Sequence, residues 1–176
     1  MSNLKDLTWE HHKNAERQEF VKELLSGAIS KERYSTFLYN LYLQYDLLEQ
    51  FAAEKNILDV TRAKEIYDDF QELSNKHSDE VNLLPVVSDY RNHLYTIKDD
   101  TNKLMAHIYV RHMGDLSGGQ MIARKVPGEG RMYKFDEDVT VLKERIRERC
   151  DDTMAEEARI CFDFATQMFR EMTEIQ

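Results

Sequence analysis

Residues 114–120 read Gly-Asp-Leu-Ser-Gly-Gly-Gln, and their spacing is the clearest chemical signal in this chain. The three glycines interrupt a stretch, 102–124, that is otherwise typical of an α-helix. Each interior glycine costs about 1 kcal/mol relative to alanine, so three of them predict a break or kink. Bare backbone is useful where a ligand must approach closely, and Asp115 adds one carboxylate to this patch. We predict a kinked helix across a flat cofactor, with Asp115 organising protons or water.

A pair of histidines near the N-terminus forms the second candidate group. In a helix, His12 shares one face with Lys5, Thr8 and Glu16, whereas His11 lies on the apolar side. A neutral imidazole is a strong axial ligand for haem iron. A carboxylate four residues later can hold the other ring nitrogen. We therefore predict His12 as the iron ligand, Glu16 as its support and Lys5 as a contact to an acidic cofactor edge.

The remaining histidines and the two cysteines carry no comparable pattern. We interpret the histidines as solvated or hydrogen-bonded helix residues and the cysteines as free thiols of a reducing compartment. These residues are His77, His93, His107, His112, Cys150 and Cys161.

Helical periodicity accounts for most of the chain, and no stretch alternates apolar and polar residues as a half-buried strand does. We predict an all-α fold of about eight helices in a single domain, residues 1–176. Ser30 is a candidate cap for the helix at 31–55, and Asp100 or Thr101 for the glycine-containing helix. The predicted helices span 3–17, 19–25, 31–55, 59–77, 86–97, 102–124, 139–150 and 153–175, with 78–84 a turn and short successor.

Composition narrows the functional classes. A net charge of −9 argues against general affinity for nucleic acid or anionic membranes. No apolar run reaches the length of a membrane span, no signal-peptide pattern is visible, and no hydrophobic tail follows the last helix. We expect a cytoplasmic, soluble protein that is a monomer. Basic residues nevertheless cluster at 124–131 and 143–149, which suits an anionic small ligand or an acidic protein partner.

Taken together, these segments resemble the haem oxygenase family over residues 4–170. The most specific match is the block at 104–120, Leu-Met-Ala-His-Ile-Tyr-Val-Arg-His-Met-Gly-Asp-Leu-Ser-Gly-Gly-Gln, which follows Thr8-x-x-x-His12-x-x-Ala15-Glu16 in the expected order. Residues 42–49, Lys143-x-x-x-Arg147 and 156–162 are weaker matches. The chain departs from many relatives at Val110 and His112.

The resemblance implies a multihelical fold in which haem b lies between a proximal helix and a kinked distal helix. It also implies a role for each matching residue. The iron ligand is His12, supported by Glu16; the propionate contacts are Lys5, Tyr109, Lys143 and Arg147; the backbone against the haem face is Gly114, Gly118 and Gly119; and the distal hydrogen-bond network is Asp115, Tyr45 and Arg111.

The implied activity is the O2- and electron-dependent cleavage of haem to biliverdin, CO and Fe2+, with haem as both cofactor and substrate. Because no flavin or nicotinamide fingerprint is visible, electrons must come from an external reductant, such as a ferredoxin or a flavoprotein reductase. The basic segments 124–131 and 143–149 are the candidate docking surface.

Two alternatives stay open at this point. A non-catalytic haem carrier would need His12 and the propionate contacts but would have no use for Asp115 among three glycines. Another enzyme on the same helical fold, such as a thiaminase-like hydrolase, would need a nucleophile or acid cluster, and neither Cys150 nor Cys161 lies in such a motif.

Overall fold

The computed structural model describes residues 2–175, which contain helices and turns but no β-strand. Met1 and Gln176, the bounds of the predicted single domain, lie outside the described residues. Three short 3-10 turns, Ser78–Glu80, Arg131–Tyr133 and Asp152–Met154, connect the longer elements. The α-helices are α1 (Leu4–Leu7), α2 (Trp9–Glu16), α3 (Glu19–Leu25), α4 (Lys31–Glu54), α5 (Ala63–Leu73), α6 (Pro85–Ile97), α7 (Thr101–Leu116), α8 (Gly119–Ala123), α9 (Val139–Glu148) and α10 (Ala155–Glu174).

Side-chain caps begin the two helices that carry most of the core. The Ser30 hydroxyl accepts the Arg33 amide at the start of α4. The Asp100 carboxylate does the same for the Lys103 amide at the start of α7. Each cap satisfies a backbone donor that has no partner inside the helix. The predicted cap at Ser30 is confirmed, and Asp100 rather than Thr101 caps α7.

Three helical segments are shorter than predicted. The helix predicted over 3–17 is divided at Thr8, whose hydroxyl donates to the Leu4 carbonyl at 2.8 Å and competes with the backbone ladder. Helix α5 begins only at Ala63, because Glu49 of α4 accepts the amides of Arg62 and Ala63. Within 78–84 only one 3-10 turn forms, since Pro85 favours extended backbone at the residue before it.

The predicted break in the glycine-containing helix lies at Ser117. Its backbone angles, φ −106° and ψ −93°, are outside the helical region, and a new helix, α8, starts at Gly119. The sequence therefore predicted the interruption, and the structure places it after Leu116, between the first glycine and the other two.

The core lies around α4 and α7. Helix α7 packs against α4, α9 and α10, and α2 packs against α10. The apolar stripe predicted on α4 is buried throughout, which confirms that this face is turned inward. Its members are Tyr34, Phe37, Leu38, Leu41, Tyr45 and Leu48.

Among residues 2–175, no helix is both long enough and apolar enough to cross a lipid bilayer. Both cysteines are free thiols, with Cys150 half-buried and Cys161 buried, as predicted.

Candidate active site

A cavity of about 1430 Å³ lies between the N-terminal helices, α10 and the interrupted helix α7–α8. Its volume exceeds the range of roughly 300–1,000 Å³ common for small-molecule sites, so it can accommodate a large ligand. Most of its surface is apolar. The apolar lining includes Leu24, Phe37, Leu41, Phe162, Met168 and Phe169.

His12 of α2 faces this cavity and is held by two neighbours. Its Nε2 lies 2.7 Å from an oxygen of Glu16, one helical turn later. Its ring stacks on Phe162 of α10, with centroids 5.0 Å apart and an angle of 13° between the planes. When Nε2–H donates to the carboxylate, Nδ1 of the neutral ring keeps its lone pair. The pair therefore presents an oriented imidazole with one nitrogen available to a metal.

His11 has a different environment, although it is the adjacent residue. Its Nδ1 lies 2.8 Å from Asp163 in a contact exposed at the protein surface, and the side chain does not line the cavity. The face analysis of the sequence distinguished the two histidines in the same way.

The glycines of the interrupted helix form a bare wall of the cavity. A Cβ atom added at Gly114 or Gly118 would meet no atom within 4 Å, because both positions face open space. Gly119 differs, since a Cβ there would lie 2.6 Å from a ring carbon of Tyr133. Gly114 and Gly118 thus expose backbone to a ligand, whereas Gly119 permits close packing inside the protein.

Asp115 lines the cavity beside these glycines and is held from two directions. The Tyr45 hydroxyl of α4 donates to its Oδ2 at 2.8 Å. The side-chain amide of Gln120 donates to its backbone carbonyl at 3.2 Å and also to the Tyr133 carbonyl. The Tyr45 contact orients the carboxylate, and the Gln120 contact joins the two sides of the helix break.

Burial raises the pKa of Asp115 to about 7, against an ordinary value of 3.8. The neighbouring His112, the Tyr45 hydrogen bond and Arg62 oppose the shift, and Glu49 adds to it. A carboxyl group that titrates near neutral pH can both accept and release a proton, which suits an organiser of proton transfer.

Arg111 lies one turn before Asp115 and is buried. One guanidinium nitrogen donates to Gln44 Oε1 at 2.7 Å, and the group lies 4.5 Å from the centre of the Tyr90 ring. Its Nε has no hydrogen-bond partner among the described residues. Arg111 also lines the cavity, although its Nε atom is itself buried.

Three of the side chains that were predicted to bind the anionic propionates lie at the cavity rim. Lys5, Tyr109 and Arg147 all line it, and the charge of Arg147 is close enough to act on the Tyr109 hydroxyl. Lys5 and Arg147 are exposed, so they can bind carboxylates while the apolar part of a ligand is inside.

Comparisons with known proteins identify the family of the chain. The sequence profile described as "Heme oxygenase" matches residues 1–171. A heme oxygenase of Porphyra purpurea is 29% identical over 97% of this chain and 85% of its own length. The chain belongs to the haem oxygenase family. The members of this family are oxidoreductases that degrade haem.

Solved haem oxygenases have the same fold. Heme oxygenase-1 of Synechocystis sp. PCC 6803, determined in complex with heme, matches with a TM-score of 0.83 and 26% identity over 96% of this chain and 89% of its own. The enzyme of Leptospira interrogans matches with a TM-score of 0.84 and 25% identity over 96% and 97%. The predicted all-α haem oxygenase fold is confirmed.

Two residues of the predicted haem oxygenase site are placed differently from the others, and their roles toward haem stay predictions. Lys143 lies one turn before Arg147 on α9 but does not line the cavity, so the helix turns only one of the two cations toward it. Gly119 lines the cavity, and its missing side chain also leaves room for the Tyr133 ring packed behind it.

Sequence reasoning missed several side chains that complete the haem oxygenase site. Phe162 and Gln44 lie in segments that matched the family, but no local pattern showed that they support His12 and Arg111. Tyr133 follows a loop and carried no signal. His112 is buried with its Nε2 2.9 Å from Glu49 Oε2, which confirms a hydrogen-bonded histidine and places the pair near Asp115.

Proposed function

We propose that the cavity binds haem b and that the chain cleaves it to biliverdin, CO and Fe2+, using O2 and electrons from an external reductant. The observation that carries this proposal is that His12 and Asp115 line one cavity, with Gly114 and Gly118 as a bare wall. A nitrogen ligand, an apolar interior and cations at the rim match the iron, the porphyrin and the propionates of haem.

The proposed binding residues divide by the part of haem that they would contact. His12 would hold the iron, with Glu16 fixing the ring through its other nitrogen. Lys5, Tyr109 and Arg147 would bind the propionates at the rim. The open space at Gly114 and Gly118 admits the porphyrin face against backbone.

When bound, haem supplies both the iron at which O2 is reduced and the porphyrin carbon that is oxidised. Asp115 would hold an ordered water and pass protons through it, since its carboxyl titrates near neutral pH. Tyr45 orients that carboxylate by its hydrogen bond. Arg111, which also lines the cavity, would contribute its positive charge to the same water network.

A haem carrier is the alternative that shares most of these residues. It accounts for His12 and the rim cations, but not for a carboxyl group that is only 7% exposed beside two glycines that open the wall. Burying an ionisable group costs free energy. A carrier has no use for such a group, whereas an enzyme can use it to transfer protons.

The reductant would dock near the exposed pair Arg124 and Lys125 at the end of α8. Three other cations of the predicted docking surface are engaged in ion pairs: Arg131 with Asp69 and Glu72, Arg145 with Glu137, and Arg149 with Asp59. Among the described residues, Arg124 and Lys125 form no ion pair, so their charge is available to an acidic ferredoxin or flavoprotein. Monomeric state and cytoplasmic location stay predictions.

The decisive experiment follows the visible spectrum after haemin is added to the purified protein, with catalase present to remove free peroxide. A ferredoxin with its reductase is then supplied in air. We expect the Soret band to disappear, a broad red absorption to rise, and CO to be trapped by a globin. A Soret band that persists after confirmed reduction supports the carrier, and no shift of the band on adding haemin excludes haem binding.

The docking surface has its own test. Charge reversal in Arg124→Glu/Lys125→Glu is expected to slow reduction of bound haem by ferredoxin without changing haem affinity. Lys103→Glu, near the start of α7, is the control, because it reverses an exposed charge outside the proposed docking surface. Equal reduction rates in both variants would contradict docking at α8.

A further inference from the structure

Three side chains from three different helices meet in the interior, away from the haem cavity. His93 of α6, His107 of α7 and Glu157 of α10 each present a ligand atom, and these atoms lie within 4.8 Å of one another. Nε2 of His107 lies 2.9 Å from Glu157 Oε1, and Nε2 of His93 contacts the same oxygen. None of the three residues lines the haem cavity.

We propose that this cluster binds a divalent transition-metal ion of the zinc type. Two imidazole nitrogens and one carboxylate oxygen are a donor set that Zn2+ takes, with a fourth position left for water. Bonds of roughly 2.0–2.2 Å in tetrahedral geometry require ligand atoms about 3.4 Å apart. The His107 Nε2 to Glu157 Oε1 distance of 2.9 Å is shorter than that spacing, and no two ligand atoms are more than 4.8 Å apart. Shifts of up to about 1.4 Å therefore complete the site.

A second layer of side chains already orients the ligands. Tyr90 Oη lies 2.7 Å from Nδ1 of His107, on the ring edge away from Glu157. A hydrogen-bond partner of this kind sets the tautomer and direction of a metal-bound histidine. On the other side, the His93 ring lies 5.4 Å from the Phe164 ring. The rings are thus held in place by contacts that metal binding does not need to break.

The proton balance of metal binding is simple. Without a metal, each Nε2–H donates to Glu157, and the Tyr90 hydroxyl donates to Nδ1 of His107. With a metal, both rings carry their proton on Nδ1 instead, and Nε2 gives its lone pair to the ion. Nδ1–H of His107 then donates to Tyr90 Oη, whose own proton can turn toward Cys161 Sγ, 3.9 Å away.

Burial and access also suit a metal. The side chains of His107 and Glu157 are 0% and 7% exposed, which excludes bulk water from the ligands. The His93 side chain is 23% exposed, which leaves one entrance. The single carboxylate lowers the charge of a bound divalent ion inside the protein.

The test uses the haem-free full-length chain, so that it does not depend on the proposed function. Zn2+ is titrated in competition with a chromophoric chelator, and Co2+ is added separately to report tetrahedral geometry by its visible absorption. We expect one ion per chain. Glu157→Gln keeps the hydrogen-bond acceptor but removes the charge, and it is expected to weaken Zn2+ binding at least tenfold, as is His93→Asn. Tyr90→Phe preserves the packing and is expected to weaken binding about 10- to 100-fold.

His11→Asn is the matched control, because His11 is a surface histidine that also contacts a carboxylate. Circular dichroism confirms that each variant is folded. Binding that survives Glu157→Gln and His93→Asn but is lost in His11→Asn would overturn the proposal by placing the ion at the surface. The absence of one-to-one Zn2+ binding in the unmodified chain would also overturn it. Neither result bears on haem cleavage.

Discussion

The Tyr45 hydroxyl donates to Asp115 Oδ2 at 2.8 Å, and both side chains are buried at the wall of the haem cavity. The contact joins α4 to the helix break 70 residues later. It holds the carboxylate in one orientation while burial raises the pKa of Asp115 to about 7. This relationship links the stability of the protein to the proton chemistry of the site.

Asp115→Asn is expected to make the haem-free protein more stable at high pH. The folded protein keeps the Asp115 proton to a higher pH than the unfolded chain does, because the pKa is raised from 3.8 to about 7. The free energy of unfolding therefore falls as pH rises through this window, and the loss is complete above pH 7. Asparagine removes this dependence and can still accept the Tyr45 hydrogen bond.

Urea unfolding between pH 4 and pH 8 measures this effect. The variant should match the unmodified protein near pH 4 and exceed it by about 2–4 kcal/mol at pH 8, since each pKa unit corresponds to about 1.4 kcal/mol. The exposed Asp136→Asn is the control. A constant difference across the range would show that Asp115 does not titrate within it.

Gly114→Ala and Gly119→Ala are expected to have opposite effects. At Gly114 the methyl group meets no atom within 4 Å, so the free energy of unfolding should rise by up to about 1 kcal/mol from helix propensity. The same methyl group projects into the cavity and should hinder haem binding. At Gly119 the methyl group lies 2.6 Å from the buried Tyr133 ring, which predicts a loss of about 1–3 kcal/mol from overpacking.

Urea unfolding of the haem-free variants and the haem-cleavage assay distinguish the two positions. Gly114→Ala should cleave haem more slowly although its fold is at least as stable. Comparable losses of stability in both variants would contradict the different roles assigned to these glycines.

His12→Ala is expected to weaken haem binding at least tenfold and to change the Soret band, because the iron loses its nitrogen ligand. Added imidazole should restore the band by occupying the space left by the side chain. Glu16→Gln should weaken binding less than His12→Ala does, because the iron keeps its nitrogen ligand and loses only the group that orients it. His11→Ala, one residue away, should bind haem normally, and a loss there with normal binding by His12→Ala would reverse the assignment.

Arg147→Ala is expected to weaken haem binding about tenfold, whereas Lys143→Ala is not. Both cations lie on α9, but only Arg147 lines the cavity. A hydrogen bond to a charged group contributes about 1.5–3 kcal/mol, and 1.4 kcal/mol corresponds to a factor of ten. Haem titration at two salt concentrations measures both affinities. Equal losses in the two variants would show that Lys143 also reaches the propionates.

Features confined to one helix were predictable from the sequence. The kink in the 102–124 segment, the buried stripe of α4 and the orientation of His12 rather than His11 toward the cavity depend on positions three or four residues apart. Helical geometry places such positions on one face whatever surrounds the helix. The Glu16 contact to His12 follows from the same spacing, and the glycine-rich block matched the family because it is continuous.

Contacts between distant segments were not predictable in this way. Gly114 and Gly119 are alike in the sequence, yet only the arrival of Tyr133 from a later turn separates their roles. Lys143 and Arg147 share a spacing that allows both to reach one ligand. In the fold, however, α9 is oriented so that only Arg147 lines the cavity. The grouping of His93, His107 and Glu157 joins residues 50 and 64 positions apart. Such juxtapositions depend on how helices pack, because side chains far apart along the chain meet only when the core forms.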